Sequence, residues 1–319
     1  MRVLVTRRLT PRVEAALRAR FDVVLRDDPA PLTLAEAQAA LASHDAILPT
    51  LGDAFGAAAF RGPVRARLLA NFGVGYNHID VAVARACGVA VTNTPGAVTD
   101  ATADIALTLI LMSARRAAQG ERLVRGGAWA GWQPTQMLGQ HVTGKRLGVV
   151  GMGRIGRAIA RRCHFGFGME VVFCNRSALA DPGVPARQVD LGQALAADFV
   201  VLAVPGGAAT RHLIGARELA QMSPHAHLIN IARGEIVDEV ALIEALTAGR
   251  IAGAGLDVYE HEPEVPQTLR ALDNVTLLPH LGTACEEVRD AMGLMAVENL
   301  TAFAEGRALP NAVQGALSG

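Results

Sequence analysis

Three ionisable residues in the C-terminal half of the chain have side chains that together could reduce a 2-keto acid: Arg233, Glu262 and His280. A guanidinium binds a carboxylate through two parallel hydrogen bonds, which suits Arg233 to substrate binding. An imidazole donates a proton near neutral pH, which suits His280 to protonating a carbonyl oxygen. A carboxylate beside that imidazole orients it and favours its charged form, a role for Glu262. We predict these three as catalytic residues, with Arg233 and His280 also binding the substrate.

Each of the three residues also has an ordinary structural explanation. Arg233 could be the cation of a turn, and Glu262, which precedes a proline, could be a solvated loop acid. His280 could be a strand-end residue bonded to backbone. Residue types alone leave both explanations open.

A glycine-rich turn indicates a nucleotide site. In LGVVGMGRIGRAIARR, an apolar strand runs into Gly151, Gly153 and Gly156, and a helix follows. Glycines at this spacing allow a tight turn, a close backbone approach to a pyrophosphate and close packing of helix on strand, and the helix N-terminus favours phosphate. We predict dinucleotide binding here, with Arg154 and Ile155 in the same turn.

The residues after the next predicted strand indicate which dinucleotide binds. An Asp or Glu about 20 residues after the glycines would accept hydrogen bonds from a ribose 2′-hydroxyl. The segment VVFCNRS has Asn175, Arg176 and Ser177 there instead. A forked cation with neighbouring donors suits a 2′-phosphate, so we predict NADP(H) as the preferred cofactor. The alternative is that Arg176 is a solvated turn residue and that NAD(H) binds without the acid.

Short Val-, Leu- and Ile-rich runs alternate with Ala-rich helical stretches, a pattern typical of parallel βαβ units. Five runs predict one α/β unit, and six later runs predict a second unit with the glycine turn after its first strand. A helix from Thr99 to about Gly120 is predicted to connect the units. We predict a substrate domain of residues 1–98 and 286–319 and a dinucleotide-binding domain of residues 99–285.

The composition argues against several function classes. The 319 residues contain 30 Lys and Arg and 30 Asp and Glu, so no net field attracts nucleic acid or an anionic membrane. The longest apolar run, IALTLILM, is far shorter than the roughly 20 residues of a membrane helix. The four cysteines are scattered and no histidines cluster, which argues against disulfides and a metal site. We expect a cytoplasmic protein whose partner is a small molecule.

Three segments, LINIARGEIVDE, GLDVYEHEP and LLPHLGT, resemble the active-site motifs of the D-isomer-specific 2-hydroxyacid dehydrogenases. With NFGVGYNHID and NTPGAVTDATADIALTLIL, the resemblance covers nearly the whole chain and is closest to the glyoxylate/hydroxypyruvate reductases. It implies an α/β fold of two doubly wound parallel-sheet domains, one Rossmann-type and one flavodoxin-like, with the active site in the cleft. The implied reaction is NADPH-dependent reduction of glyoxylate to glycolate, or of hydroxypyruvate to D-glycerate, with His280 as proton donor.

The resemblance also implies further site residues. Asp257 would accept from the nicotinamide amide, although it could also be a turn cap. Val74 and Gly75 would bind the substrate carboxylate through backbone N–H groups, although their loop could be a simple turn. The other implied cofactor contacts are Thr102, Val204, Pro205, Thr210, Ala232 and Gly282, and the other implied substrate contacts are Leu51 and Trp132.

The only two tryptophans, Trp129 and Trp132, lie in the Gly-rich stretch RGGAWAGWQPTQMLGQ. In glyoxylate/hydroxypyruvate reductases the matching segment is a dimerisation loop. The resemblance therefore implies a homodimer joined by residues 120–145, with Trp132 reaching the partner's active site. A locally packed loop is the alternative.

Two other functions would use the same residues. A reductase of the 2-ketogluconate type would have the same three catalytic residues. Non-catalytic dinucleotide sensors of the C-terminal-binding-protein co-repressor type share the fold and similar residues. We favour the enzyme because the chain has neither long polar tails nor an acid that selects NAD.

Overall fold

A computed structural model describes residues 1–313 of the chain. The chain divides into two compact units, Met1–Val98 with Ala284–Gly319, and Thr99–Thr283. Residues 314–319, the end of the predicted segment 286–319, lie outside the described residues. Each unit is built on one β-sheet in which every strand pairing is parallel. The predicted α/β class with two doubly wound parallel sheets is confirmed.

The strands are β1 Arg2–Val5, β2 Asp22–Leu25, β3 Ala46–Leu48, β4 Leu68–Ala70, β5 Ala90–Thr92, β6 Arg146–Val150, β7 Glu170–Cys174, β8 Ala186–Gln188, β9 Phe199–Leu202, β10 His227–Asn230, β11 Gly253–Leu256 and β12 Val275–Leu277. The α-helices are α1 Pro11–Arg18, α2 Leu34–Ser43, α3 Val81–Ala86, α4 Thr99–Ala114, α5 Ala117–Arg125, α6 Arg154–Phe167, α7 Leu191–Leu195, α8 Ala216–Leu219, α9 Glu239–Thr247, α10 Gln267–Arg270 and α11 Glu286–Ala304. Short 3₁₀ helices span Ala57–Arg61 and Gly234–Ile236.

The sheet of the first unit has the strand order β2-β1-β3-β4-β5, which is the flavodoxin-like arrangement. Its central strands are almost wholly apolar because a parallel sheet is covered by helices on both faces. Helix α11 packs against α1 in this unit, and a Cβ at Gly293 would lie 2.3 Å from a methyl of Val13. The glycine therefore permits the contact that returns the C-terminal helix to the first unit.

The sheet of the second unit has the order β12-β11-β10-β9-β6-β7-β8. Counted from β6, this is the Rossmann order 3-2-1-4-5-6 with one additional strand at the β12 edge. The direction of strand progression reverses between β6 and β9. Open α/β sheets bind ligands outside the carboxyl ends of the strands at such a switch point, so the loops after β6 and β9 mark the expected site.

Two sequence-based predictions about the second unit are wrong. It contains seven strands rather than six, because β8 is a three-residue edge strand whose Arg187 and Gln188 are exposed and give no apolar run. The predicted helix from Thr99 to about Gly120 is two helices, α4 and α5. The helix is interrupted at Arg116, whose backbone is left-handed with a φ of 53°.

A buried polar pair joins α4 to the start of β10. Ser113 Oγ lies 2.7 Å from His227 Nδ1, and both residues are buried. The imidazole stacks on Phe199 with 5.4 Å between ring centroids. Burial lowers the pKa of His227 to about 4, so this histidine is neutral at physiological pH. The pair therefore contributes a hydrogen bond and not a charge.

Within the described residues, no helix has the length and apolar character required to cross a membrane. No three His, Cys, Asp or Glu side chains of residues 1–313 form a group that could hold a metal ion. All four cysteines are free thiols.

Candidate active site

The turn after β6 has the geometry of a phosphate cradle. Gly151 has a φ of 101°, and a Cβ there would lie 2.8 Å from the Ala203 carbonyl carbon. A Cβ at Gly156 would lie 2.2 Å from the Gly151 carbonyl oxygen, so this position needs glycine for the packing of helix on turn. A Cβ at Gly153 would meet no heavy atom of the described residues within 4 Å. Gly153 is therefore the glycine that leaves room for a ligand.

Helix α6 begins directly at this opening. Gly153 is its N-cap, and the first helical hydrogen bond runs from Arg157 N to Gly153 O. The N–H groups of Arg154, Ile155 and Gly156 lie in the first turn, where they have no partner within the helix and carry the positive end of its dipole. These residues fit the pyrophosphate of a nicotinamide dinucleotide.

The segment after β7 lies beside the cradle. Asn175 Oδ1 accepts a hydrogen bond from Met152 N at 2.7 Å, so this side chain fixes the glycine turn and keeps its amide Nδ2 for other partners. Arg176 and Ser177 are exposed. Arg176 pairs with no carboxylate among the described residues, and Ser177 O accepts from Gln188. Asn175 therefore has a positioning role that the sequence did not indicate.

His280 and Glu262, which the sequence predicts as a pair, are hydrogen-bonded to each other. His280 Nδ1 lies 2.9 Å from Glu262 Oε2, and the two side chains are 30% and 29% exposed. Glu262 Oε1 accepts from Tyr259 N at 3.0 Å, so both carboxylate oxygens are engaged. The carboxylate fixes one face of the imidazole and leaves Nε2 as the nitrogen that can meet a substrate.

Arg233 and Glu262 shift each other's ionisation. Partial burial alone would raise the pKa of Glu262, but the hydrogen bond and charge of His280, the Tyr259 N–H and the charge of Arg233 lower it below its ordinary value. Burial lowers the pKa of Arg233, and Glu262 and Glu235 oppose that effect. An arginine stays protonated through such a shift. Near neutral pH the site therefore holds a cation and an anion.

Backbone contacts bring the two catalytic segments together. A Cβ at Gly234 would lie 1.8 Å from the Tyr259 carbonyl carbon, so only glycine allows this approach. Asn230, which is buried at the end of β10, donates to Arg233 O at 2.9 Å and accepts from Ala232 N at 3.1 Å. Asn230 and Tyr259 were not predicted as site residues. A buried amide at a strand end is the one sequence signal that could have indicated Asn230.

Asp257 caps the segment that carries His280. Its carboxylate is 1% exposed and accepts from Leu281 N at 2.7 Å and from Gly282 N at 2.8 Å. His280 N donates to Asp257 O, and Thr102 Oγ1 donates to Gly282 O at 3.1 Å. The structure therefore brings together three predicted cofactor residues, Thr102, Asp257 and Gly282. The turn-cap role of Asp257 is present, and its contact with nicotinamide stays a prediction.

The remaining predicted cofactor contacts lie in two places. Val204, Pro205 and Thr210 follow β9 at the switch point, where Thr210 Oγ1 donates to Pro205 O at 2.7 Å and closes the loop. Ala232 is buried after β10, and its carbonyl accepts from Arg233 Nη1. All of them follow carboxyl ends of strands in the second unit.

The predicted substrate residues of the first unit follow the carboxyl ends of β3 and β4. Leu51 is partly exposed after β3. After β4, Asn93 Nδ2 donates to Val74 O at 2.9 Å and Asn71 Nδ2 donates to Gly75 O at 3.0 Å. The N–H groups of Val74 and Gly75 donate to no acceptor among residues 1–313. Their carbonyls are thus held while two amides remain for a ligand.

The chain is similar to known proteins over most of its length. A family model described as "D-isomer specific 2-hydroxyacid dehydrogenase, NAD binding domain" matches residues 107–282. The chain is 40% identical over 319 residues to a glyoxylate reductase of Thermococcus onnurineus, covering 98% of this chain and 95% of that protein. It is 46% identical over 254 residues to a glyoxylate reductase of Thermococcus litoralis, covering 77% and 76%.

Solved structures match over nearly the full length. The TT0316 protein from Thermus thermophilus has a TM-score of 0.91 and 40% identity, and the match covers 98% of this chain and 100% of that one. An NADPH-dependent glyoxylate/hydroxypyruvate reductase from Sinorhizobium meliloti, in complex with NADP and malonate, has a TM-score of 0.87 and 36% identity. That match covers 98% of this chain and 96% of that one.

Replacing Gly153 by alanine should weaken dinucleotide binding without unfolding the protein. The added methyl meets nothing within 4 Å among the described residues, and the φ of −77° suits alanine, but the methyl would occupy space that a pyrophosphate needs. We expect a Tm within about 2 °C of wild type and an NADPH Kd raised roughly tenfold or more in a fluorescence titration. Gly156→Ala is the matched control, because its methyl would clash with the Gly151 carbonyl and should lower the Tm. Unchanged NADPH affinity in Gly153→Ala would contradict the assignment of the cradle.

Proposed function

Because this chain belongs to the D-isomer-specific 2-hydroxyacid dehydrogenases, we propose that it reduces a small 2-keto acid, glyoxylate to glycolate or hydroxypyruvate to D-glycerate, with NADPH. The observation that carries the proposal is the hydrogen bond of 2.9 Å between His280 Nδ1 and Glu262 Oε2. It provides an oriented proton donor in the unit that also contains the phosphate cradle. The four free thiols suit a reducing compartment, and we place the enzyme in the cytoplasm.

Each residue has a separate task in this reaction. Arg233 holds the carboxylate of the keto acid through its forked N–H groups. His280 Nε2 donates a proton to the keto oxygen, which would otherwise become an alkoxide. Glu262 keeps the imidazole oriented through the hydrogen bond to Nδ1. The nicotinamide dinucleotide, when bound, supplies the hydride.

The choice of substrate is supported by the names of the relatives. The matching Thermococcus proteins are named glyoxylate reductases, and the Sinorhizobium meliloti structure is named a glyoxylate/hydroxypyruvate reductase. These names favour an enzyme over a dinucleotide sensor of the co-repressor type. A 2-ketogluconate reductase would use the same catalytic residues, so assays should include glyoxylate, hydroxypyruvate, pyruvate and 2-ketogluconate. Turnover of 2-ketogluconate above the two smaller acids would replace the proposed substrate.

Replacing His280 should abolish most of the activity while cofactor binding persists. Without a proton donor, His280→Ala should lower kcat for glyoxylate by about 10²-fold or more and leave the NADPH Kd nearly unchanged. His261→Ala, at an exposed histidine one residue from Glu262, is the matched control and should turn over like wild type. Glu262→Gln should also lower kcat, because the amide holds the imidazole less firmly than the carboxylate does. Near-normal kcat in His280→Ala would overturn the assignment.

The proposed preference for NADPH is based on Arg176. A charge-assisted contact between this exposed guanidinium and a 2′-phosphate, about 1.5 to 3 kcal/mol, implies at least a roughly tenfold preference for NADPH in kcat/KM. Arg176→Ala should reduce that preference by raising the KM for NADPH while NADH kinetics barely move. Asn175→Asp should go further, because one carboxylate oxygen can keep the hydrogen bond from Met152 N while the other repels the phosphate. A wild-type protein that prefers NADH would show that Arg176 only belongs to the turn.

Assembly is proposed to use residues 120–145. Four of the eight large apolar side chains exposed within residues 1–313 lie here, with Val124 60%, Trp129 52%, Trp132 81% and Leu138 68% exposed. So many exposed apolar side chains within one segment of the chain suit an interface between two copies of the chain. We propose a homodimer in which Trp132 reaches the partner's active site.

Replacing Trp132 should therefore affect the substrate more than the cofactor. Trp132→Ala should change the KM for the keto acid by more than the KM for NADPH, because the indole would contact the substrate side of the partner's site. Phe165→Ala, at another exposed aromatic, is the control and should change neither constant. Light scattering should give a dimer for the wild type. A wild-type monomer with full activity would contradict the proposal.

A further inference from the structure

Glu260 connects two loops of the second unit. The loop that follows β9, residues 205–212, is named the switch loop, and residues 259–262, which include Glu262, are named the acid loop. The Glu260 side chain is 8% exposed. Its Oε1 lies 2.8 Å from Arg211 Nη2 and 2.7 Å from His212 Nε2. One buried carboxylate oxygen of the acid loop therefore holds the end of the switch loop.

Both the start and the end of the switch loop are attached to the segment of Arg233. Glu235 Oε1 accepts from Gly207 N at 2.8 Å, and Glu235 O accepts from His212 N at 2.8 Å. A Cβ at Gly206 would lie 2.7 Å from Arg233 Cγ. The switch loop thus contacts both segments that carry catalytic residues, and only its contact with the acid loop depends on a side-chain charge pair.

The acid loop transmits its position directly to the proton donor. Glu260 is two residues from Glu262, which binds His280 Nδ1 at 2.9 Å. Tyr259 is fixed at the other side, because its hydroxyl donates to Leu278 O at 2.9 Å. A displacement of Glu260 would therefore be taken up mainly at Glu262.

We propose that Glu260 is a positioning residue that couples occupation of the dinucleotide site at the switch loop to the His280–Glu262 pair. This inference rests on the proposed function, in which His280 is the proton donor. The switch loop follows β9 at the point where the strand order reverses, so a bound dinucleotide orders it. Because the Glu260 carboxylate binds Arg211 and His212, an ordered switch loop also holds the acid loop in place. By linkage, disrupting the Glu260 contact with the switch loop should weaken cofactor binding.

The groups around Glu260 keep it charged. Burial would raise its pKa, but His212 and Arg211 lower it below the ordinary carboxyl value. Glu239 Oε2 lies 3.5 Å from Glu260 N. Burial raises the pKa of Glu239, and a protonated Glu239 would not repel the charge of Glu260. His261 and Glu262 are its neighbours in the acid loop. Because the ion pairs depend on the Glu260 charge, an isosteric amide should loosen the connection without removing bulk.

Glu260→Gln tests the coupling, with Glu264→Gln, an exposed residue just beyond the same loop, as the matched control. The readouts are the NADPH Kd by fluorescence and hydrogen exchange of residues 205–212 and 259–262 with and without NADPH. We expect NADPH to slow exchange in both loops of the wild type and of Glu264→Gln. In Glu260→Gln the Kd should rise roughly five- to twentyfold, and NADPH should no longer slow exchange in residues 259–262.

A double-mutant cycle separates this role from a general loss of structure. If Glu260 acts through Arg211, then Arg211→Met should reproduce part of the change in Kd, and the double variant should be no worse than Glu260→Gln alone. Additive effects, or an acid loop that NADPH still protects in Glu260→Gln, would overturn the coupling. Binding and exchange do not require turnover. A wild type with coupled loops and no reduction of glyoxylate or hydroxypyruvate would therefore overturn the proposed function alone.

Discussion

The cluster of Arg233, Glu262 and His280 depends on one backbone contact, between Gly234 and Tyr259. The distance of 1.8 Å from a Cβ at residue 234 to the Tyr259 carbonyl carbon shows that the two chain segments touch with no side chain between them. Arg233 leads into this contact, and Glu262 follows three residues after Tyr259. The guanidinium and the carboxylate therefore share a small volume, although the helix α9 and the strand β11 lie between their segments in the chain. Any side chain at residue 234 would separate them.

Close packing of this kind partly buries several ionisable groups and removes water from around them. Burial acts against the charged form of Arg233, Glu262 and Asp257 alike. Specific partners oppose that effect on each pKa: two glutamates at Arg233, His280 at Glu262, and the N–H groups of Leu281 and Gly282 at Asp257. The hydrogen bonds that fix geometry are the same ones that fix charge. This dual role explains why few side chains suffice to build the site.

The strands with apolar runs and the glycine turn could be predicted from local sequence, because burial on both faces of a parallel sheet leaves a continuous pattern. Arg233, Glu262 and His280 could be named because the segments around them resemble known active-site motifs, whereas their residue types alone left a structural explanation open. Asn230 and Tyr259 could not, because their roles arise from contacts between segments distant in the chain. The break at Arg116 was not predicted either. The residues next to it favour helix, and neither a glycine nor a proline marks the position of the left-handed backbone.

The hydrogen bond between Ser113 and His227 lies at the amino ends of the strands, whereas Arg233, Glu262 and His280 follow the carboxyl ends. It makes the stability of this unit sensitive to acid. An unfolded chain protonates a histidine below about pH 6.5, whereas the folded protein keeps His227 neutral until about pH 4. Between these values the unfolded state binds the additional proton, so acidification draws the equilibrium towards unfolding. A depression of this size corresponds to about 3 kcal/mol, a large fraction of the stability of an ordinary domain. One buried imidazole thus sets a lower limit to the pH at which the nucleotide-binding unit stays folded. The proposed reaction does not require this limit.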